Sequence, residues 1–269
     1  MIYILIILLT LLTYFLYHMF SRWEPINLDK VLKNKFIIYG HRGVPSIAPE
    51  NTLYSFQKAF DLKVNGIELD IQITKDKVLA VHHDNHLKRL TGSSKLIANL
   101  NYDELKKIDA RGSDCQNIPF QKIPTLDHVL QILPKDLIIN IEVKSNSIIS
   151  EGMEESVIES IIKFDVIDRA IVSSFNPIVL RKIKKINPQI ITAHLWGSHK
   201  VFSSIYWVYY SQPDLFHANI SLLNNKIARF IKSLKLKTFA YTVNSTEDFN
   251  KAKKLGLNGI FTDNPKLFI

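Results

Sequence analysis

The chain has 269 residues, of which 46% are hydrophobic and 22% are charged, and this composition excludes a disordered protein. The formal net charge of +9 favours binding to nucleic acid, to an anionic membrane or to an anionic substrate. The sequence has no zinc-finger or RNA-binding motif, so we expect no nucleic-acid partner. The single cysteine, Cys115, excludes an internal disulfide and a cysteine-rich zinc site.

An uncharged apolar segment opens the chain. Residues 1–20 carry no charged side chain, and a helix of this length spans about 30 Å, the thickness of a hydrocarbon core. We therefore predict a transmembrane anchor over residues 1–21. The alternative is a cleaved signal peptide, but no basic residue precedes the segment and no small-residue cleavage site follows it.

The charges that flank this segment predict its orientation. Basic residues follow the segment and none precedes it, so the positive-inside rule places the rest of this single-pass protein in the cytoplasm. The basic residues that follow are Arg22, Lys30, Lys33 and Lys35.

Apolar strand-like runs then alternate with helical patterns. After a polar linker over residues 22–35, one domain is predicted over residues 36–269. The predicted strands cover 36–39, 66–73, 78–82, 137–143, 170–174, 190–195, 215–220, 238–243 and 259–262. The predicted helices cover 52–62, 101–108, 125–133, 152–164, 177–186, 223–234 and 245–255.

This alternation predicts an α/β fold with a parallel sheet and helices outside it. Only four residues separate strands 66–73 and 78–82, too few for a parallel crossover, so these two are expected to form a hairpin. The other strands then close as a (β/α)8 TIM barrel, whose usual length matches this domain. Residues 92–124 are expected to be a loop with one short helix.

Carboxylates occur in pairs or singly within these apolar strands. Glu68 and Asp70 are two residues apart and face the same side of a strand, as do Glu142 and Lys144. Charges inside apolar strands are costly unless they are paired or bind a metal ion. The all-oxygen set of Glu68, Asp70 and Glu142 suits one Mg²⁺ or Ca²⁺ ion. The alternative is a set of structural salt bridges with Arg42 and Lys144.

Two histidines at strand ends are the expected proton carriers. His41 and His83 lie beside carboxylates, and the pKa of histidine suits both the removal of a proton from a nucleophile and its donation to a leaving oxygen. His82, next to His83, should face the other side of the strand and pack. The other competitors are His86, His194 and His217.

Two cations and two further polar residues complete the predicted site. Arg42 and Lys144 can hold phosphate oxygens. Asn51 is expected either to cap the helix that follows or to belong to the site. Glu50 is expected to support the metal, or to hold His41 or Arg42.

The order and spacing of these motifs carry a resemblance. H-R-G…P-E-N-T, E-L-D, V-H-H-D, I-P-T-L, I-E-V-K, Y-T-V-N and G-I-F-T-D-N-P follow one another through residues 36–269. The chain thus resembles the glycerophosphodiester phosphodiesterase family. The resemblance implies a TIM barrel and a metal-dependent phosphoric diester hydrolase, which releases an alcohol and either glycerol 3-phosphate or a lysophosphatidic acid.

The resemblance also implies roles for individual residues. The catalytic histidines correspond to His41 and His83, the metal ligands to Glu68, Asp70 and Glu142, and the phosphate-binding residues to Arg42 and Lys144. Tyr241 stands where the family often has a tryptophan, and it is expected to stack on the substrate.

The class of diester remains open between soluble glycerophosphodiesters and lysophospholipids, as for a lysophospholipase D. The apolar segment, an aromatic run over residues 201–210 and basic helices favour a lipid bilayer as partner. The aromatic run can equally be core packing, and the basic helices can be a solvated outer face. No obligate protein partner is expected. The alternative functions are a related barrel phospholipase of the phospholipase C or sphingomyelinase D type, and a non-catalytic, membrane-tethered phosphodiester-binding protein.

Overall fold

The computed structural model describes residues 2–20, 23–33, 35–112, 115, 117–145, 147–148, 152–197 and 201–269. Within these residues nine strands form one sheet, in which eight parallel strands close a barrel. The strands are β1 (Ile37–Gly40), β2 (Gly66–Ile73), β3 (Leu79–Val81), β4 (Ile138–Val143), β5 (Ala170–Ser174), β6 (Ile191–Trp196), β7 (Leu215–Asn219), β8 (Lys237–Tyr241) and β9 (Gly259–Thr262).

The barrel closes because β1 pairs in parallel with both β9 and β2. The strand β3 stands outside the ring and pairs antiparallel with β2, with Ile71 opposite Val81 and Ile73 opposite Leu79. The predicted hairpin and the predicted eight-stranded barrel are both confirmed.

The helices lie mainly between successive strands. They are α1 (Ile2–Phe20), α2 (Asp29–Leu32), α3 (Leu53–Asp61), α4 (Lys88–Thr91), α5 (Tyr102–Leu105), α6 (Leu126–Ile132), α7 (Met153–Lys163), α8 (Pro177–Ile186), α9 (Trp207–Ser211), α10 (Asn225–Ser233) and α11 (Thr246–Lys254), with short 3₁₀ turns at Ile97–Asn99 and Pro265–Leu267. Several begin at side-chain caps that the sequence makes visible: the side chains of Thr52, Asn224 and Ser245 accept backbone N–H bonds at the starts of α3, α10 and α11.

The hydrophobic core has an outer layer and an inner floor. The outer layer packs the strands against the surrounding helices and includes Phe56, Leu69 and Leu126. The floor fills the barrel interior on the side away from the carboxyl ends of the strands, with the Tyr39 and Phe261 rings stacked 4.6 Å apart. The open end of the barrel is therefore the carboxyl end, where TIM barrels carry their sites.

The segment predicted as a polar linker folds against this floor. Leu28 and Leu32 are each 3% exposed and pack with Ile37 and other floor residues. The N–H of Ile26 donates to Asp214, and the indole of Trp23 donates to the carbonyl of Pro213. These two leucines carry enough apolar surface to be buried in spite of their polar neighbours.

The first helix, α1, presents apolar side chains to solvent. The large hydrophobic side chains that are described between Ile2 and Tyr17 are between 39% and 79% exposed. Among the described residues, however, no helix is sufficiently long and apolar to cross a membrane, so the predicted transmembrane helix is not supported.

The region between residues 92 and 124 contains the one short helix that the sequence predicts there. It contains α5 and a 3₁₀ turn, and it has a small core of its own that includes Leu87, Ile97 and Leu105. This core packs on β3 through Ala80, so the segment closes one side of the barrel mouth. Residues 113, 114 and 116 lie outside the described residues.

Candidate active site

The predicted acidic residues meet at the carboxyl ends of β2 and β4. The parallel register sets Asp70 directly opposite Glu142. Because side chains two apart on a strand share a face, Glu68 joins them on the inner side of the barrel. One ligand atom from each of the three carboxylates lies within 4.8 Å of the others.

This carboxylate triad is deeply buried. Glu68, Asp70 and Glu142 are 3%, 0% and 7% exposed, and Glu68 Oε1 is buried with neither a hydrogen bond nor an ion pair among the described residues. A buried carboxylate oxygen without a partner is costly unless a cation compensates it. The three oxygens suit a hard divalent cation such as Mg²⁺ or Ca²⁺.

The pKa values of the triad reflect its crowding. Burial and the neighbouring carboxylates raise the pKa of Glu68 well above its usual value, and burial also raises that of Glu142. Burial alone would raise the pKa of Asp70 too, but Lys144 and Arg42 outweigh it and lower that pKa. The triad therefore has too much negative charge for its two cationic neighbours to satisfy fully.

Those cationic neighbours are the two predicted phosphate-binding residues. Lys144 Nζ lies 2.5 Å from Glu142 Oε1 and 3.0 Å from Asp70 Oδ1, and Arg42 Nε lies 3.3 Å from Asp70 Oδ2. Although burial favours their neutral forms, the surrounding carboxylates raise the pKa of Lys144 and Arg42, so both remain cations. The alternative of structural salt bridges is thus partly realised, within the same cluster.

The turn between β1 and α3 shapes one wall of the site. Arg42 has a φ of 55°, and its backbone N–H donates to Glu68 Oε2 at 2.9 Å. Asn51 has a φ of 56°, and its side-chain amide donates to Asp70 Oδ2 at 2.8 Å. Asn51 therefore orients a carboxylate of the triad. Of the two alternatives expected for Asn51, the helix cap is wrong, because Thr52 accepts the N–H of Ser55 in that position.

His41 forms a pair with an aspartate from the last strand. Its Nδ1 lies 2.6 Å from Asp263 Oδ1, and Asn244 Nδ2 donates to the other oxygen, Oδ2, also at 2.6 Å. Burial opposes the ionisation of Asp263, but the hydrogen bond with His41 outweighs it and lowers the pKa of Asp263. An ionised Asp263 fixes the orientation of the His41 ring.

His83 forms a second pair of the same kind. The antiparallel direction of β3 returns the chain to the level of Asp70, whose carbonyl accepts the N–H of His82 at 2.9 Å. His83 Nδ1 then lies 2.7 Å from Asp84 Oδ1. Burial lowers the pKa of His83, so its neutral form is favoured near neutrality. Partial burial opposes the ionisation of Asp84, but hydrogen bonds with His83 and Arg89 lower its pKa to about 2.

Comparison with known proteins identifies this arrangement. The sequence profile of the glycerophosphoryl diester phosphodiesterase family matches residues 41–267. The chain belongs to that family.

Relatives match over nearly the whole barrel. The chain is 33% identical to a glycerophosphodiester phosphodiesterase of Caldanaerobacter subterraneus subsp. tengcongensis, over 87% of this chain and 97% of the relative. It is 34% identical to another of Bacillus altitudinis, over 85% and 94% respectively. The chain is therefore a glycerophosphodiester phosphodiesterase, which is a phosphoric diester hydrolase.

Solved structures agree. A glycerophosphodiester phosphodiesterase of Thermotoga maritima superposes with a TM-score of 0.70 and 29% identity, covering 87% of this chain and 96% of that one. A phosphodiesterase of Oleispira antarctica, solved in complex with the product sn-glycerol-3-phosphate, gives a TM-score of 0.74 at 26% identity, covering 88% and 96%.

In this phosphodiesterase the site opens into a cleft of about 570 Å³. His83, Glu142 and Lys144 line its inner end, and Leu96 and Ala98, from the segment after β3, line its outer wall. The segment after β3 therefore forms one wall of the cleft.

Tyr241 lies at the carboxyl end of β8. Its hydroxyl donates to the carbonyl of Trp196 at 2.9 Å, and its ring meets Phe175 edge to face. Phe175 lines the cleft, whereas Tyr241 is not among the described residues that line it. Its hydroxyl is used structurally, so only the Tyr241 ring is free for the predicted stacking on substrate.

The aromatic run after β6 is partly buried and partly exposed, with Val201 and Tyr206 62% and 64% exposed. Phe202 and Val208 are 3% and 0% exposed, and Tyr209 packs edge to face on Trp23 and Phe230. The described residues of this run are not among those that line the cleft, so it gives no support to an acyl channel there. Residues 198–200, just before it, lie outside the described residues.

The competing histidines take other positions. His82 is buried, and burial lowers its pKa. His194 and His217 are fully buried in the barrel wall, where burial lowers the pKa of each to about 3. His86 lines the outer cleft. The expectation that His41 and His83 are the histidines beside the acidic cluster agrees with this geometry.

Three side chains around the histidines had no assigned role in the sequence. They are Asp263, Asn244 and Arg89. The signal for the first two was their position after strands β9 and β8, at the end of the barrel that carries the site. Arg89 follows no strand of the barrel, and only the folded chain reveals its contacts.

Proposed function

We propose that this phosphodiesterase hydrolyses glycerophosphodiesters with one bound divalent cation, Mg²⁺ or Ca²⁺, held by Glu68, Asp70 and Glu142. The observation that carries the proposal is the pair of histidine–aspartate couples that flank a buried acidic cluster with two cations. A bound cation there would polarise a phosphate oxygen and offset charge on phosphorus.

The residues of the chain supply the proton transfers. An oxygen nucleophile attacks phosphorus while one histidine accepts its proton, and the other histidine donates a proton to the departing alcohol oxygen as the P–O bond breaks. The nucleophile is either water or the glycerol hydroxyl next to the phosphate, which would form a cyclic phosphate that water then opens. Arg42 and Lys144 hold the phosphate oxygens throughout.

The products on this proposal are an alcohol and glycerol 3-phosphate. The Oleispira relative with that product bound supports the assignment by similarity. Membership of the same family favours this reaction over those of the phospholipase C and sphingomyelinase D types.

Attachment to a bilayer is the second part of the proposal, and exposed α1 supports it. A helix whose apolar side chains face water gains free energy when a lipid phase covers them. Lys30, Lys33 and Lys35 follow this helix, and on the positive-inside rule they favour the cytoplasmic face for the barrel. A site held beside a bilayer makes lysophospholipids, cleaved to lysophosphatidic acid, the second candidate substrate.

The test compares glycerophosphocholine with lysophosphatidylcholine, using choline release by the purified protein. We expect release that EDTA abolishes and Mg²⁺ or Ca²⁺ restores, and that is lost in the His41→Ala and Glu68→Ala variants. Preference for the lysolipid would make it the principal substrate. Release that is unaffected by EDTA would contradict the metal, and no release from either compound would contradict the substrate class.

A protease protection assay tests the orientation. In sealed, right-side-out vesicles, added protease should leave the barrel intact. Digestion of the barrel from outside would contradict the cytoplasmic placement.

A further inference from the structure

Arg89 belongs to α4, outside the barrel strands, yet its side chain bridges two acidic residues of the site. Arg89 Nε donates to Asp84 Oδ2 at 2.8 Å, and its Nη2 donates to Glu50 Oε1 at 2.7 Å. The first carboxylate also contacts His83, and the second accepts from Arg42 Nη1 at 3.0 Å. Arg89 therefore links the partner of a proton carrier to the partner of a phosphate-binding arginine.

The two oxygens of Asp84 have different partners. Oδ1 contacts His83 Nδ1 at 2.7 Å and Oδ2 accepts from Arg89. A carboxylate that is hydrogen-bonded through both oxygens cannot rotate without breaking one of the bonds. Arg89 therefore restricts the rotation of the Asp84 carboxylate, and with it the orientation of the His83 ring. With Nδ1 engaged in this way, Nε2 is the ring nitrogen left for proton exchange with substrate.

The other histidine pair shows the same arrangement with a different third group. Asp263 contacts His41 through one oxygen and accepts from Asn244 through the other. Each proton carrier therefore has a carboxylate, and each carboxylate has a second donor. Arg89 donates to the second oxygen of Asp84, just as Asn244 donates to the second oxygen of Asp263.

We propose that Arg89 is a positioning residue that couples the orientation of His83 to the phosphate-binding Arg42 through Asp84 and Glu50. Arg89 hydrogen-bonds Asp84 and Glu50, and these carboxylates in turn contact His83 and Arg42, so we assign the effect of Arg89 to its carboxylate partners. Its planar guanidinium suits this task because it presents donors in two fixed directions. The inference rests on the proposed function of the site.

The test is the kinetics of Arg89→Ala on a glycerophosphodiester. We expect kcat to fall by about 10-fold to 100-fold, the usual effect of removing a group that orients a site residue, with KM nearly unchanged. The matched control is Lys88→Ala, which removes a neighbouring positive charge of the same helix. Lys88 makes no side-chain ion pair in the part of the chain that the structure describes, so its loss should leave kcat unchanged.

Two further variants separate geometry from charge. Arg89→Lys retains the charge but lacks the two-directional fork, and it should lose most of the same kcat. Added guanidinium ion should partly restore Arg89→Ala and leave Lys88→Ala unaffected. A double-mutant cycle tests whether Asp84 and Arg89 act as one unit. The kcat of the Asp84→Asn, Arg89→Ala double variant should be little lower than the kcat of Arg89→Ala alone.

The ring of His83 provides a readout that needs no turnover. In ¹⁵N-histidine spectra of the full chain, Arg89→Ala should shift the ring-nitrogen signals of His83 and leave those of His41 in place. In Lys88→Ala the signals of both histidines should match those of the wild type. Arg89→Lys gives the same comparison if Arg89→Ala does not fold.

Two results would overturn the proposal. One is kcat in Arg89→Ala equal to that in Lys88→Ala, or a loss confined to KM. The other is an unchanged His83 spectrum. Wild-type protein that does not cleave glycerophosphodiesters would instead contradict the proposed function, and the spectra would still decide the role of Arg89.

Discussion

Most charged side chains at the site pair with a group of opposite charge or with a hydrogen-bond partner. Each of the two proposed proton carriers has an aspartate, and both proposed phosphate-binding cations contact Asp70. Glu68 differs, because its Oε1 is buried without a hydrogen-bond partner in the described chain and its pKa is raised by burial and by its acidic neighbours. This imbalance is the residue-level reason to expect a cation.

Glu68→Gln tests that expectation. The amide retains an acceptor for the Arg42 N–H while removing a repelled charge, so the metal-free variant should be as stable as the wild type or more stable. Choline release should fall by at least ~100-fold, and the rise in Tm that Mg²⁺ or Ca²⁺ gives the wild type should disappear.

The control for that variant is Glu154→Gln, at another buried glutamate, 3% exposed, in helix α7. It should retain activity and the metal-dependent rise in Tm. A Glu68→Gln variant that still gains Tm with either ion would contradict the assigned ligand set.

His217 predicts acid sensitivity that is independent of catalysis. It lies among Phe239 and Phe261, and burial lowers its pKa from the ordinary 6.5 to about 3. A histidine with a depressed folded-state pKa stabilises the fold above pH 6.5, and that contribution is lost as pH falls from 6.5 towards 3. Between pH 7 and pH 5 one such group should cost about 2 kcal/mol of unfolding free energy.

The measurement is urea unfolding of wild type and His217→Phe at both pH values. The variant should lose about 2 kcal/mol less than the wild type on acidification. His194, also with a pKa lowered to about 3, remains in both proteins and keeps part of the sensitivity. Equal losses in the two proteins would show that His217 titrates normally in the fold.

At the scale of elements, the turn between β1 and α3 determines much of the site. It carries the backbone donor to Glu68 and the side-chain donor to Asp70, and it turns tightly at Gly43, which has a φ of 90°. A Cβ at Gly43 would lie 2.2 Å from Ser55 Oγ, so this position requires glycine for space as well as for conformation.

Gly43→Ala should therefore affect both folding and catalysis. We expect a loss of about 2–4 kcal/mol in unfolding free energy from the left-handed backbone together with the clash, and reduced kcat because Arg42 and Asn51 share the displaced turn. Urea unfolding and choline release measure the two effects.

Gly256→Ala is the matched control. Gly256 has a φ of 70°, but a Cβ there would meet nothing within 4 Å. It should cost about 1–2 kcal/mol of stability and leave kcat unchanged. Equal effects of the two substitutions would mean that the turn at Gly43 has room to adjust.

The whole molecule combines a closed barrel with an exposed apolar helix. The chain from Trp23 onward contacts the barrel through Pro213 and Asp214, whereas the apolar side chains of α1 are exposed. The barrel should therefore fold and act on soluble diesters without α1.

Deletion of residues 2–20 tests this division. The shortened protein should retain kcat on glycerophosphocholine and should bind lipid vesicles at least ~10-fold more weakly, because apolar area drives such binding. Cosedimentation with vesicles measures the second effect. Undiminished vesicle binding would show that α1 is not the attachment, and would direct attention to the basic helices.

The elements that could be predicted from the sequence are those set by local pattern. Strands such as β2 and β5 have the predicted bounds because their apolar runs end at turn residues. The pairs Glu68 and Asp70, and Glu142 and Lys144, were assigned to one face because alternation along a strand is a local property. By contrast, α2 and α4 were missed, because four-residue helices carry too little periodicity to read.

The sequence by itself determined the order of the strands and of the longer helices, the hairpin, the acidic set and the family to which the chain belongs. Each of these depends on residues close in the chain or on motifs in a fixed order. Only the tertiary structure shows which side chains contact the two histidines and their aspartates. Closure of the barrel brings Asp263 to His41, and packing of α4 brings Arg89 to Asp84 and Glu50. Contacts between residues far apart in sequence depend on the barrel's closure and on loop packing, and no local pattern encodes either.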